Sequence, residues 1–291
     1  MKQLNGIIII DKPKEVTSFH VVRDMKRILD MKKIGHTGTL DPMATGVLPI
    51  CIGKGTKAVN YLINDDKEYI AEIKLGENTD TYDSEGVVTD MFPIDITKDE
   101  LEKVLVSLTG EISQKPPKYS ALKLNGKRMY DLARNGVEFE VPTRQVTIYS
   151  INLLEYNVPF IKIKVKCSKG TYIRSLAYDI GEKLGCGAYI YNLRRTVAGR
   201  FHIDNAVTLS ELLPENVENY LISIESLFSH LPSLDVDAYF EKLLTNGVTV
   251  KDYRLISKIQ SNGLYRTYGE TGVFLGLCKR EADYLKLECS F

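Results

Sequence analysis

The chain has 291 residues, 44% hydrophobic and 26% charged, with 38 basic residues against 38 acidic ones. That describes a soluble globular protein long enough for one large domain and a small one. No apolar run approaches the length of a membrane span, and Leu4 to Ile10 is too short, and too soon stopped by Asp11-Lys12-Pro13, to be a signal peptide. The five cysteines form no C-x-x-C pair and leave an odd one out, so reduced thiols in the cytosol are expected. The four histidines are scattered, and no zinc site is expected.

In chain order, Asn5 to Asp11 is an apolar, β-branched run and predicts a buried strand. Thr17 and Ser18 offer an N-cap to a helix with Val21, Val22, Met25, Ile28 and Leu29 at helical spacing. Val47 to Ile52 predicts a short strand, and Thr56 to Ile63 a helix. Lys67 to Gly76 alternates, with Tyr69, Ala71, Ile73 and Leu75 on one face. Thr97-x-x-Glu100 is a capping box opening a helix with Leu101, Val104, Leu105 and Leu108 inward. Residues 114 to 136 start with a Pro-Pro pair, end at Asn135-Gly136, and carry a strand pattern (Ser120 to Leu124) and a helical one (Met129 to Ala133). Phe160 to Ser168 alternates again, with Lys162, Lys164 and Lys166 on an outer face. Tyr172 to Leu184 reads as a helix and Gly187 to Val197 as a strand. Strands and helices without a βαβ rhythm predict an α+β domain on a mixed, mainly antiparallel sheet. A change of character near Leu231 to Asp235 divides the chain into 1–231 and 232–291. The second part is expected to hold a helix at Phe240 to Gly247 and strands around Gly263 and Gly276.

The zero net charge hides an asymmetry. Tyr61 to Glu111 has 14 acidic and 4 basic residues, whereas Ile112 to Arg134 has 6 basic and 1 acidic. Pro159 to Arg200 has 9 basic and 2 acidic, and Met1 to Asn60 adds a balance of +5. Three basic blocks that also hold every motif of interest read as one phosphate-facing surface. Phe201 to Leu231, with no Lys or Arg, is expected on a remote face.

Gly35 to Leu48, G-H-T-G-T-L-D-P-M-A-T-G-V-L, surrounds one acidic residue, Asp41, with three glycines and a proline. Such a loop presents the carboxylate rather than packing it. One positioned carboxylate can act as a nucleophile, a base or an ion-pair partner. The string resembles the signature of the TruB family of tRNA pseudouridine synthases. The resemblance extends over roughly residues 5 to 200, through Asp11-Lys12-Pro13 with Thr17-Ser18, Lys67-Glu68-Tyr69, Thr79 to Gly86, Pro116 to Lys123 with Gly126 to Arg128 and Tyr130, Gly170 to Leu176, and Leu193 to Thr196. It departs at Glu15, where the family pattern has glycine. The last sixty residues resemble, more weakly and mainly through Gly269 to Gly276, a small PUA-type β-barrel that binds RNA.

The resemblance implies a stand-alone enzyme that isomerises the T-loop uridine of tRNA, position 55, with Asp41 as the catalytic residue. The reaction breaks an N-glycosidic bond and forms a carbon–carbon bond at C5, so no metal or cofactor is implied. Attack at C6, attack at C1′ and deprotonation at C2′ all remain open for the carboxylate. Arg174 is the expected partner of Asp41, since a guanidinium holds a carboxylate bidentately. Tyr69 is implied to stack on the target base, with its hydroxyl near the sugar as a proton acceptor. Tyr172 and Leu193 would border the base, and His36 would fill the space that the extruded nucleotide leaves. Lys12, Lys123, Arg128 and Arg195 are candidate phosphate contacts, and residues 114–136 are expected to fold over the RNA. The implied partner is the tRNA T stem-loop, with no membrane and no obligate protein partner. Competing readings are an RNA-guided relative, for which long basic tails are missing, a tRNA folding chaperone, and a glycosidase, which would want two facing carboxylates.

Overall fold

Alternating apolar and polar residues build the sheet on which the site rests. The computed structural model describes residues 4–63, 65–120, 122–124 and 126–291. Its first part runs β1 (Gly6–Lys12), α1 (Ser18–Ile28), β2 (Ile34–His36), β3 (Thr45–Ile52), α2 (Val59–Leu62), β4 (Lys67–Leu75), β5 (Glu77–Thr79), β6 (Val88–Met91), α3 (Lys98–Ser107), β7 (Gly110–Gln114), β8 (Lys123–Leu124), β9 (Lys127–Arg128), α4 (Met129–Arg134), β10 (Arg144–Asn157), β11 (Phe160–Cys167), α5 (Ile173–Leu184), β12 (Ala188–Ala198) and β13 (Phe201–His202). The main sheet has the order β1-β3-β12-β4-β11-β10-β7, with β2 on β3 and β13 on β12. Its pairs are antiparallel except β12 with β3, where Arg194 faces Thr45 and Arg195 faces Gly46.

The inward residues of β4 and β11 form one core with Val21, Val22 and Met25 of α1, Leu101 and Leu105 of α3, and Leu176, Ala177 and Ile180 of α5. The unbroken isoleucine run of β1 is explained by burial on both faces. Ile8 and Ile10 join that core, while Ile7 and Ile9 join a second cluster on the other side with Phe201, Leu227 and Phe228. The helix caps are as the sequence predicts. The Thr17 hydroxyl accepts from the His20 N–H, and Thr97 and Glu100 form a reciprocal capping box.

The outer face of β11 is less basic than its sequence suggests. Lys162 lies 2.6 Å from Glu155 and Lys164 3.0 Å from Glu68, because β10 and β4 flank β11 with acidic side chains on the same face. Arg194 is likewise tied to Asp11 at 2.7 Å. Two further differences are local. The helix expected at Thr56 to Ile63 is a 3₁₀ stretch, Gly53–Ala58, followed by the single turn α2. Of the strand expected at Ser120 to Leu124 only β8 forms, with Ala121 outside the described residues.

The second part holds β14 (Ser233–Asp235), α6 (Ala238–Thr245), α7 (Tyr253–Ile256), β15 (Gly263–Tyr268), β16 (Phe274–Glu281) and β17 (Tyr284–Ser290). Its sheet, β14-β15-β16-β17, encloses a separate cluster around Phe240, Leu244, Leu255 and Leu285. It docks on the first part through Phe291, whose ring stacks on Phe228 and Phe274 with centroids 5.8 and 5.9 Å away.

Candidate active site

The loop carrying Asp41 is held on both sides of the carboxylate. Before it, the Ser18 hydroxyl donates to the Leu40 carbonyl (3.1 Å) and accepts from the Leu40 N–H (2.9 Å). After it, the Pro42 carbonyl accepts from the Glu15 N–H (2.8 Å) and from the Lys12 ammonium (3.1 Å). Glu15, where the family pattern has glycine, adopts φ of 65°, a left-handed conformation that glycine takes more readily than a residue with a side chain. Gly46, at φ of 103°, ends the loop; a Cβ there would lie 2.2 Å from the Arg195 carbonyl, so glycine is what lets β3 and β12 run side by side.

Asp41 faces Arg174 at the start of α5, whose interior is buried beneath the sheet. The Arg174 Nη2 donates to Asp41 Oδ1 at 3.2 Å, and Nε lies 3.1 Å from Oδ2 as an ion-pair contact without hydrogen-bond alignment. Asp41 keeps about a third of its side chain exposed, whereas Arg174 and Asp83 are almost fully buried. Asp83 completes the array: its Oδ2 accepts from Arg174 Nη1 at 3.0 Å, and its Oδ1 accepts from the Thr81 hydroxyl (2.6 Å) and the Glu85 N–H (3.0 Å). The Thr81 and Tyr119 carbonyls take further Arg174 N–H groups at 3.3 and 3.0 Å. The guanidinium is therefore fixed from behind by one carboxylate and presented to another at the surface.

Four more expected residues are placed by β4, β12, α5 and β2. Tyr69 is buried on β4, with Leu193 of neighbouring β12 in the same cluster. Burial pushes the Tyr69 hydroxyl above its ordinary pKa, and the charge and hydrogen bond of Arg195 oppose that. Tyr172 caps α5, and the Gln114 side chain bonds both its N–H (2.8 Å) and its carbonyl (3.0 Å). The Arg144 guanidinium lies over its ring at 5.7 Å. His36 ends β2, partly buried; desolvation, then the charge of Arg195, pulls its pKa down. Its Nδ1 is buried with no hydrogen-bond partner among the described residues. Also among the described residues, no three His, Cys, Asp or Glu side chains converge as a metal site.

The profile described as TruB family pseudouridylate synthase, N-terminal domain, matches residues 26–173, and that of the tRNA pseudouridylate synthase B C-terminal domain matches 174–235. Proteins named tRNA pseudouridine synthase B are similar over nearly the whole chain. That of Clostridium novyi (strain NT) is 49% identical over 98% of this chain and 99% of its own length, and that of Clostridium acetobutylicum 50% over 98% of each. The chain belongs to the TruB family. Among solved structures, a chain of an H/ACA RNP bound to a substrate RNA containing 2'-deoxyuridine is similar with a TM-score of 0.70 at 25% identity, covering 98% of this chain and 84% of that one. A chain of a Cbf5-Nop10-Gar1 complex gives 0.72 at 26% identity with the same coverage. The fold is thus the mixed α+β fold of TruB-type pseudouridine synthases. The two profiles meet at the first turn of α5, yet β12 beyond it pairs with β3 and β4, so one sheet spans both matches.

Two of the expected phosphate contacts are corrected. Lys12 is fully buried, and its ammonium donates to the Pro13, Val16 and Pro42 carbonyls at 2.8, 2.6 and 3.1 Å. Burial pulls its pKa down to about 8 despite the nearby Asp41 charge. Arg195 is also buried, donating to the Val47 (2.7 Å) and Gly38 (3.2 Å) carbonyls as well as meeting Tyr69. Both hold the site from inside and cannot reach a phosphate as they stand. The side chains of Lys123 and Arg128 lie outside the described residues. Asp83 was missed as a site residue; its one signal was an acidic residue within the Thr79 to Gly86 motif.

Proposed function

We propose that this protein isomerises uridine to pseudouridine in the T-loop of tRNA, at position 55, with Asp41 as the nucleophile. The observation that carries the reading is a half-open carboxylate, Asp41, clamped by a buried arginine whose far side is anchored on Asp83. The clamp fixes the direction of the carboxylate. The target uridine leaves its stack to reach Asp41 and packs between Tyr69, Tyr172 and Leu193, while His36 takes the vacated place in the loop. Asp41 forms a transient bond to the nucleotide and is expelled before product leaves; in between the N1–C1′ bond breaks, the base turns and C5 bonds to C1′, and the C5 proton is lost as N1 gains one. Tyr69, as its phenolate, accepts that proton or one from the sugar; burial disfavours that form, and the charge and hydrogen bond of Arg195 offset part of the cost. Residues 114–136 close over the RNA, tied to the site through the Tyr119 carbonyl.

Residues 1–231 form the catalytic domain in this reading and 232–291 a PUA-like RNA-binding domain, supported by the separate C-terminal sheet and its own cluster. The enzyme acts in the cytosol without an obligate protein partner. The test is to incubate pure protein with an unmodified tRNA transcript and map pseudouridine by carbodiimide-dependent primer extension. One new stop in the T-loop is expected; modification elsewhere, or none, would overturn the reading.

A further inference from the structure

The +5 balance of the first sixty residues is only partly absorbed by the site. Lys12 is buried among carbonyls, and Lys14 donates to Asn192. Six other basic residues gather on α1 and beside it: Arg23, Lys26 and Arg27 on the helix, Lys32 and Lys33 in the turn after it, and Lys54. The Gly53 N–H donates to the Lys33 carbonyl at 2.8 Å, which sets Lys54 beside that turn. Arg23 and Arg27 are 63% and 81% exposed. Against them stand two acidic residues, Asp24 and Asp30. Asp24 is 4.0 Å from Arg23 and 3.7 Å from Arg27, contacts at an exposed site that neutralise little. Lys26, Lys32, Lys33 and Lys54 have no ion pair among the described residues.

This surface begins at the site. Ser18, the first residue of α1, bonds both polar groups of Leu40, next to Asp41. From there the helix runs 11 residues, about 16 Å, away from the carboxylate. Phe19, 71% exposed, Arg23 and Lys26 or Arg27 follow at i, i+4 and i+7 or i+8 on one face. No Asn or Gln, the side chains suited to reading adenine edges, lies on that face, whereas charge in a row suits a phosphodiester backbone.

We propose that the exposed face of α1, with Lys32, Lys33 and Lys54, is a second RNA-contacting surface that grips the backbone of the duplex stem flanking the target loop. This deepens the functional reading above and rests on it for the identity of the RNA. The contact is sequence-independent and adds binding without touching the reacting uridine.

The test compares the full-length protein with an R23A/R27A/K33A variant. Both are titrated at several KCl concentrations with unmodified tRNA and with hairpins of one loop and stems of increasing length. In the wild-type protein, affinity should grow with stem length until the α1 surface is covered; in the variant that growth should vanish. The slope of log Kd against log salt should flatten by about 2 to 3, near 0.9 per lost phosphate contact. The kcat at saturating RNA should stay within twofold of wild type. An R23K/R27K variant should keep the wild-type slope, because charge rather than the guanidinium fork is what the surface supplies. A triple variant with wild-type slope and stem dependence would overturn the proposal. So would a drop in kcat with the slope unchanged, which would mark a structural role. Binding and product are read separately. If wild-type protein binds with the expected slope but modifies no tRNA, the functional reading falls while the surface stands.

Discussion

Replacing Asp83 by asparagine should slow the reaction without weakening RNA binding. The carboxylate is 2% exposed and accepts three hydrogen bonds, one from Arg174, one from Thr81 and one from Glu85. An amide keeps the shape but has one acceptor oxygen, so either Arg174 or the Thr81–Glu85 pair meets an N–H where it needs an acceptor. Loss of a hydrogen bond to a charged group costs about 1.5–3 kcal/mol. Arg174 still pairs with Asp41, so its charge is not orphaned and the larger cost of a broken buried pair is avoided. If that energy positions the guanidinium for the reacting carboxylate, kcat should fall by roughly 10- to 150-fold, at 1.36 kcal/mol per decade. The KM should hold, because Asp83 cannot touch RNA. Single-turnover release of tritium from 5-tritiated uridine in a T stem-loop would measure this, with a melting scan to separate misfolding. A rate within twofold of wild type, or an effect wholly in KM, would refute the idea that Asp83 acts through Arg174.

Arg174→Lys should lose at least tenfold in kcat, since one ammonium cannot reach Asp41, Asp83 and two carbonyls together; near wild-type turnover would show that charge alone suffices. Glu15→Gly should raise the melting temperature by up to about 3 °C, as the relief of roughly 1–2 kcal/mol at φ of 65° exceeds the added chain entropy of glycine; a clear fall would mean that the Glu15 side chain itself stabilises the fold. The pKa of Lys12, held near 8 by burial, gives a two-sided pH effect. Because the folded pKa lies below the unfolded one, the unfolded chain binds more protons between about pH 8 and 10.5, and this group's contribution to stability rises across that window. The neutral amine, however, has two hydrogens for three carbonyls and releases one, so kcat should decline above about pH 8. A kcat flat to pH 9.5 would contradict the role of Lys12 in holding Pro42.

Much of this architecture was legible wherever a residue's surroundings follow from its own period. The alternation in β4 and β11 names their buried faces, and Thr97 with Glu100 names the start of α3 because the cap is local chemistry. β10, the longest strand, escaped notice because two bulges break its alternation and much of its length is only half buried. Lys12 and Arg195 carry the sequence signature of surface charges. Their burial depends on carbonyls from Pro42, Val47 and Gly38, which only the folded loop brings near. The acidic partners of Lys162 and Lys164 are likewise supplied by other strands. Asp41 and Arg174 were expected together, but Asp83 behind them depends on a turn closing against β12.

The central claim is that the Asp41 carboxylate carries out the chemistry, and Asp41→Asn tests it most directly. The amide should leave the Kd for unmodified tRNA within about threefold of wild type, and primer extension should detect no pseudouridine even with enzyme in excess over RNA for hours. Accumulation of pseudouridine at a rate near that of the wild-type protein would contradict the account and remove Asp41 from the chemistry.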